Sequence, residues 1–257
     1  MVVATFNVNS VRARLPALTE WLVVAQPDVV VLQETKVEDE KFPLGDLEAT
    51  GYNIEIHGQP RYNGVAVLSR PPIEEFDVGF DDDGMPEDYR VLRATVNGVQ
   101  IINTYVPNGN SVGSEKWEYK MRWLERFRQY VKETCEMGAP TIWLGDINIA
   151  PTPDDVFEPE TKLGDVGHHP DEFSRLKAIV ELGWTDCFRK FTPGPNHHTF
   201  WDFRIPNSFK RDLGWRIDHV YATKPLAAKC KRCWVDKVPR GGERPSDHTP
   251  VLAEFSV

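Results

Sequence analysis

Short apolar runs separated by polar breaks organise the chain from its first residues. Val2 to Phe6 reads as a buried strand that passes into Asn7, Asn9 and Ser10, after which Leu15, Leu18, Leu22 and Ala25 recur at helical spacing as far as Pro27. DVVVLQ is a second buried strand, ending in the polar Gln33, Glu34, Thr35 and Lys36. YNIEIH and GVAVLSR are two more, and RVLRATV and VQIINTY flank Asn97-Gly98. Both residues of that dipeptide tolerate positive φ, which predicts an antiparallel hairpin. Tyr105, Pro107, Asn108 and Gly109 close its second strand, and Ser114 then caps a helix with Trp117, Met121, Leu124, Phe127 and Val131 on one face, stopped by Gly138 and Pro140. TIWL delivers Gly145, Asp146, Ile147 and Asn148 to a strand exit, and Phe173, Leu176, Ile179 and Val180 mark a short helix. The remainder alternates short strands with loops, among them the basic RIPNSFKRDLGWR and the closing PSDHTPVLAEF.

Strands outnumber helices, hairpins mix with strand-helix units, and both kinds of element carry buried faces. The fold expected is α/β: a four-layered α/β sandwich of two mixed, mainly antiparallel sheets flanked by helices. No internal repeat, low-complexity tract or linker interrupts the 257 residues, so one domain over 1–257 is expected. A content of 40% hydrophobic and 27% charged residues excludes an intrinsically disordered chain. The first apolar run is broken at Asn7 and Asn9 with no basic segment before it, so no secretory signal is expected, and no run is long enough to cross a bilayer. Cys135 and Cys187 have no near neighbour in sequence, and Cys230-x-x-Cys233 has no matching pair for a four-ligand zinc site. Reduced thiols, a cytoplasmic location and no zinc follow as expectations. A net charge of −9 speaks against a uniformly basic nucleic-acid binder but not against a local basic rim around a carboxylate site.

Several strands end in a carboxylate, amide or imidazole: Asn7, Glu34, Asp146 with Asn148, Asp218 after GWRI, and Asp247 with His248. Singly, Glu34 reads equally as a solvated strand end, Asn148 as a turn former, Asp218 as a surface charge, and Ser246-Asp247-His248 as a cap or turn. Converging on one edge, they would form a site for Mg²⁺, a hard ion that takes oxygen ligands and keeps waters. Phosphodiester hydrolysis suits such a set: Glu34 holds the metal, Asp146 with Asn148 orients or deprotonates water, and His248, paired with a carboxylate, donates to the phosphate.

TFNVNS, VVLQETK, YNGVAVLSR, INTYVPNG, WLGDINIAP, HTFWDFR, GWRIDHV and RPSDHTPV, in that order, resemble the exonuclease III family of abasic-site endonucleases along nearly the whole chain. The resemblance implies Mg²⁺- or Mn²⁺-dependent incision 5′ to abasic sites in double-stranded DNA, with 3′–5′ exonuclease and 3′-phosphodiesterase activity, in a monomer. It makes Glu34 the metal ligand with Asn7 beside it, Asp146 and Asn148 the nucleophile-positioning pair, and Asp218 with His248 the carboxylate-imidazole pair. Tyr105 takes the phosphate or leaving-group side, Asn108 the asparagine that follows it, and Asp247 an acidic place near a second metal position. Phe200, Trp215 and Ile217 resemble the pocket for a flipped-out baseless sugar, with core packing as the alternative and Trp201 as a neighbour. Asn9 stands where some members carry aspartate. Arg204, Lys210, Arg211 and Arg216, with Lys36 and Lys116, are candidates for phosphate contacts, with a solvated basic loop as the alternative.

Two other classes are weighed against the nuclease. A phosphoesterase for lipid or inositol phosphates is disfavoured by TFWDFR and GWRID, and a non-catalytic DNA-binding relative by the joint presence of Glu34, Asp146, Asp218 and His248.

Overall fold

The computed structural model describes residues 1–80, 85 and 89–257. Twelve strands form among these: β1 Val2–Asn7, β2 Val29–Gln33, β3 Asn53–His57, β4 Val65–Ser69, β5 Glu75–Val78, β6 Val91–Val96, β7 Val99–Tyr105, β8 Thr141–Asp146, β9 Trp184–Asp186, β10 Asp218–Thr223, β11 Cys230–Val235 and β12 Val251–Phe255. They make two six-stranded sheets, ordered β11-β12-β1-β2-β4-β3 and β5-β6-β7-β8-β10-β9. Each has one parallel pair, β1 with β2 and β7 with β8, and antiparallel neighbours elsewhere.

The central strands β2, β4, β8 and β10 are buried on both faces because each sheet is covered twice. Val29 and Val31 of β2, Val65 and Val67 of β4, and Ile142 and Leu144 of β8 face the other sheet in the central layer. Alternate residues point outwards: Ala4, Phe6, Val30 and Leu32 pack on the helix Val11–Ala25. Across the molecule Ile102, Trp143 and Tyr221 pack on the helices Glu115–Thr134 and Pro170–Val180. The four layers expected from the sequence are thus present. Ser114 caps its helix as expected, its hydroxyl accepting from the Trp117 amide at 3.2 Å, although the helix ends at Thr134, before Gly138.

Topology decides where the polar strand ends go. Because β1 and β2 are parallel and β12 antiparallel to β1, the exits of β1 and β2 share an edge with the residues that enter β12. In the second sheet β7 and β8 exit together, and antiparallel pairing sets Asp218, the first residue of β10, opposite Asp146, the last of β8. A buried polar link joins the sheets near this edge: Gln33 Nε2 donates to Asn103 Oδ1 at 2.8 Å, and Asn103 Nδ2 donates to the Leu32 and Ala66 carbonyls at 2.9 Å each. At Gly145 (φ +151) an added Cβ would lie 2.0 Å from the Thr104 carbonyl, so only glycine lets β7 and β8 run together into Asp146.

Candidate active site

Asn7 stands at the centre of the shared edge, fully buried. Its Nδ2 donates to Glu34 Oε1 and to Asp146 Oδ2, both at 2.9 Å, so one amide spans the two sheets. Asp146 Oδ1 accepts from the Asn148 backbone N–H at 3.0 Å. Behind the site His248 Nδ1 lies 2.9 Å from Asp218 Oδ2, while its Nε2 faces Asp146 Oδ2 at 3.8 Å. Ligand atoms of Glu34, Asp146 and His248 lie within 4.8 Å of one another, the metal-capable grouping found among the described residues.

Electrostatics separates the roles of these groups. Burial, with Asp218 and Glu34 nearby, pushes the Asp146 carboxyl up to about 7 against the pull of His248. Burial alone would keep His248 neutral, but Asp218 and then Asp146 overcome it and carry the imidazole up to about 10. An imidazolium donates hydrogen bonds and cannot ligate a cation, so the ion-binding capacity rests on oxygen donors, Glu34 foremost and Asp146 beside it. Burial acts to raise the Glu34 carboxyl, yet Lys36 and the Asn7 amide outweigh it and hold it below its usual range, ready ionised. Two carboxylates this close repel, and a divalent cation between oxygen donors relieves that repulsion; the residues present fit such an ion.

The backbone here is unusual. Asn9, Ser10, Glu34, Lys36 and Asn148 all have positive φ without being glycine, between 45° and 88°. Each costs on the order of 1 kcal/mol and is kept by its surroundings. Ser10 N–H donates to the Glu34 carbonyl at 2.7 Å, and Lys36 N–H to Asn63 at 2.9 Å, which turns the Glu34 side chain back across the edge.

A cleft of about 400 Å³ opens over these groups and is lined on one side by Phe200, Trp215 and Ile217. Phe200 and Trp215 exchange backbone hydrogen bonds at 2.9 Å, Phe200 lies 4.8 Å from His248 ring to ring, and the Thr199 hydroxyl accepts from the Ile217 and Asp218 amides at 3.1 Å. The aromatic wall and the carboxylate-imidazole pair are therefore one rigid unit. A wider cleft, about 790 Å³ between β5 and the helix Glu115–Thr134, carries the ion pairs Asp77 with Arg93 and Arg126 with Glu133 and no such grouping.

With this geometry in place, comparison with known proteins is direct. The sequence model described as Endonuclease/Exonuclease/phosphatase family matches residues 4–248. The chain belongs to that family. Exodeoxyribonuclease III of Haemophilus influenzae is 32% identical over 98% of either chain. An AP endonuclease from Archaeoglobus fulgidus is 42% identical with a TM-score of 0.96, and a 3′ phosphatase from Neisseria, solved bound to product DNA hairpin, is 37% identical with a TM-score of 0.95; both comparisons cover 100% of each chain.

In this endonuclease/exonuclease/phosphatase domain the expected residues divide by position. Glu34, Tyr105, Asn108, Asp146, Asn148, Phe200, Arg204, Trp215, Ile217, Asp247 and His248 line the cleft. Asn7 and Asp218 sit beneath it, orienting others. Lys36 is tied beside it, its Nζ 2.6 Å from Glu34 Oε2 and from Asn9 Oδ1, and Asn9 Nδ2 in turn donates to Asp247 at 2.9 Å. Arg216 overturns its reading as a phosphate ligand: it is 1% exposed and ion-paired to Asp155 at 2.6 Å and Asp186 at 2.9 Å. Trp201 is fully buried, its indole on Asp212, a neighbour of the wall as expected. Cys187, Cys230 and Cys233 are free and belong to the central core. Missed from sequence were Asn110, Val166, Gly167 and Asp202 in the cleft lining, and Thr199 beneath it. Asp202 offered a signal, two residues before Arg204, which it grips through the guanidinium Nε and Nη2.

Proposed function

We propose that this DNA repair nuclease hydrolyses the phosphodiester 5′ to an abasic site in duplex DNA, with Mg²⁺ or Mn²⁺ held at Glu34 and neighbouring oxygens, and has 3′–5′ exonuclease and 3′-phosphodiesterase activity at the same site. The observation that carries the reading is the convergence of Glu34, Asp146 and His248 within 4.8 Å beside an aromatic wall. When bound, the cation supplies Lewis-acid neutralisation of phosphate charge.

The chain's own groups supply the rest. Asp146, its carboxyl pushed upward by burial, accepts the proton of a water oriented with Asn148. That water attacks phosphorus, the new P–O bond replaces the bond to the 3′ oxygen, and the leaving oxygen takes a proton from solvent. His248, cationic at neutral pH and held by Asp218, donates to a non-bridging oxygen. Tyr105 and Asn108 close the phosphate side, while Phe200, Trp215 and Ile217 accept a baseless sugar that gives up no stacking on entry. Arg204, on the rim, almost fully exposed and held by Asp202, is a cation offered to the strand's phosphates.

No helix among the described residues is long and apolar enough to cross a membrane. Free cysteines suit a reducing compartment, and a monomer in the cytoplasm is part of this proposal. The test is incision of a labelled duplex with one abasic analogue, run with Mg²⁺, with chelator and against undamaged duplex, beside an inositol-phosphate hydrolysis arm. Metal-dependent cutting at the lesion is expected; hydrolysis of the inositol phosphate with an intact duplex would replace the reading.

A further inference from the structure

Beneath the cleft lies a charged pair that the chemistry above does not use. Lys120, on the helix Glu115–Thr134, and Glu172, on the helix Pro170–Val180, are both 0% exposed and 2.5 Å apart. A buried ion pair is a poor source of stability, because desolvating two charges cancels most of their attraction. Its partners show what it does instead. The Lys120 ammonium has three N–H groups and places them on Glu172 Oε1, on the Asn108 carbonyl at 3.1 Å and on the Asn148 carbonyl at 2.8 Å. The second Glu172 oxygen accepts from the Gly167 amide at 2.8 Å and the His169 amide at 3.1 Å.

Three separate segments of cleft lining, the turns at Asn108, Asn148 and Gly167, are thereby fixed to one pair of charges. Two of them also meet above it: Asn108 Nδ2 donates to Asn148 Oδ1 at 3.1 Å, and Asn148 Nδ2 to the Val106 carbonyl at 2.9 Å. Asn148 has φ +53, a left-handed conformation kept in a residue whose carbonyl accepts from Lys120. Gly109 fits tightly over the lysine stem, where an added Cβ would lie 3.1 Å from Lys120 Cδ.

We propose that Lys120 and Glu172 are positioning residues for the nuclease reaction: the buried pair sets the side-chain orientation of Asn108 and Asn148, and through them the alignment of the attacked phosphate with Asp146. This rests on the hydrolytic reading of the cleft. It separates two effects of breaking the pair, a loss of stability from an unpaired buried charge and a loss of alignment that remains when the charge is removed altogether.

The test uses Lys120→Met, Glu172→Gln and the double variant Lys120→Met/Glu172→Met, compared with Asn108→Ala/Asn148→Ala. Lys120→Met lowers kcat by about 10- to 100-fold with KM changed less than about threefold, the signature of misplacement and not of weaker binding. The double variant regains thermal stability because no lone charge stays buried, yet remains slow. In the Asn108→Ala/Asn148→Ala background Lys120→Met costs under about threefold, since its effect has no side chains left to act through. A double variant with wild-type kcat, or an undiminished Lys120→Met effect without the two asparagine side chains, overturns the proposal. Should Lys120→Met alone fail to fold, the double variant and Glu172→Gln carry the same comparison. The side-chain amide ¹H–¹⁵N signals of Asn108 and Asn148 read the alignment with no substrate present. Shifted signals in the double variant, combined with a wild-type protein inert on abasic duplex, would remove the proposed substrate and leave the positioning role standing; unshifted signals would remove the positioning role itself.

Discussion

Asn7 Nδ2 reaches Asp146 Oδ2 at 2.9 Å across the gap between the two sheets, the first residue lying at the end of β1 and the second at the end of β8. The same nitrogen serves Glu34 from β2's exit, so the relative placement of the proposed metal ligand and proposed base depends on one amide. Asn7→Ala should therefore lower kcat by about 10- to 100-fold while the fold persists, because alignment is lost and no charge is stranded. Steady-state kinetics on an abasic duplex with a circular dichroism control checks it; unchanged kcat would show that the bridge is idle.

Asp146→Asn and His248→Ala should each lower turnover by at least about 10³-fold and leave duplex affinity within a few-fold of wild type, if the first acts on the attacking water and the second on the phosphate as proposed. Asp218→Asn should fall between these and wild type, because it disturbs the charge and orientation of His248 without removing it. Single-turnover incision paired with gel-shift binding reads both quantities, and wild-type cutting by His248→Ala would end its role as phosphate donor.

Trp215→Ala should reduce discrimination between abasic and undamaged duplex by about tenfold, by enlarging the pocket proposed for the compact sugar. Competition between the two labelled duplexes in one reaction gives the ratio directly. Equal discrimination would return Trp215 to plain packing.

Removing Arg216 should cost stability. Arg216→Met strands the buried Asp155 carboxylate, which the guanidinium holds well below its usual range against the effect of burial, and frees Asp186. A loss of about 3–5 kcal/mol is expected in urea unfolding. A loss below about 1 kcal/mol would mean that Arg189, which also pairs with Asp155, is sufficient.

Acid should destabilise the protein through His219. Burial, aided by Arg216, drives this imidazole down to about 4 from 6.5, so above pH 6.5 it is neutral in both the folded and the unfolded chain. Between pH 6.5 and 4 only the unfolded chain takes up the proton, and stability falls as pH falls. The shift corresponds to about 3 kcal/mol lost by the lower end of that window. Urea unfolding from pH 7.5 to 4.5 should show a steeper decline for wild type than for His219→Gln; parallel curves would remove the assignment.

Much of this was legible in the sequence because strand periodicity and polar strand ends are local properties. The runs VVATF, DVVVLQ and TIWL name their own strands, and Asn97-Gly98 and Ser114 name a turn and a cap. Local pattern fails where exposure or distance decides. β5 lies at a sheet edge with mostly exposed side chains, so it lacks an apolar signature. Arg216 sits in a basic stretch that reads as surface, and its burial follows from Asp155 and Asp186, which composition cannot place beside it. Thr199 serves the site through a hydroxyl that accepts two backbone amides, and Gly167 through its own amide, roles for which residue type gives almost no sign.

The order in which the site's parts occur along the chain has its own consequence. Asn7 and Glu34 come first, Asp146 and Asp218 much later, and His248 last of all. The centre therefore exists only once residues far apart in sequence have met, Asn7 with Asp146 and Asp218 with His248, which requires both sheets to be paired. A fragment holding one sheet alone carries no complete centre, because Asn7 and Glu34 stand at strand ends of one sheet and Asp146 and Asp218 at strand ends of the other.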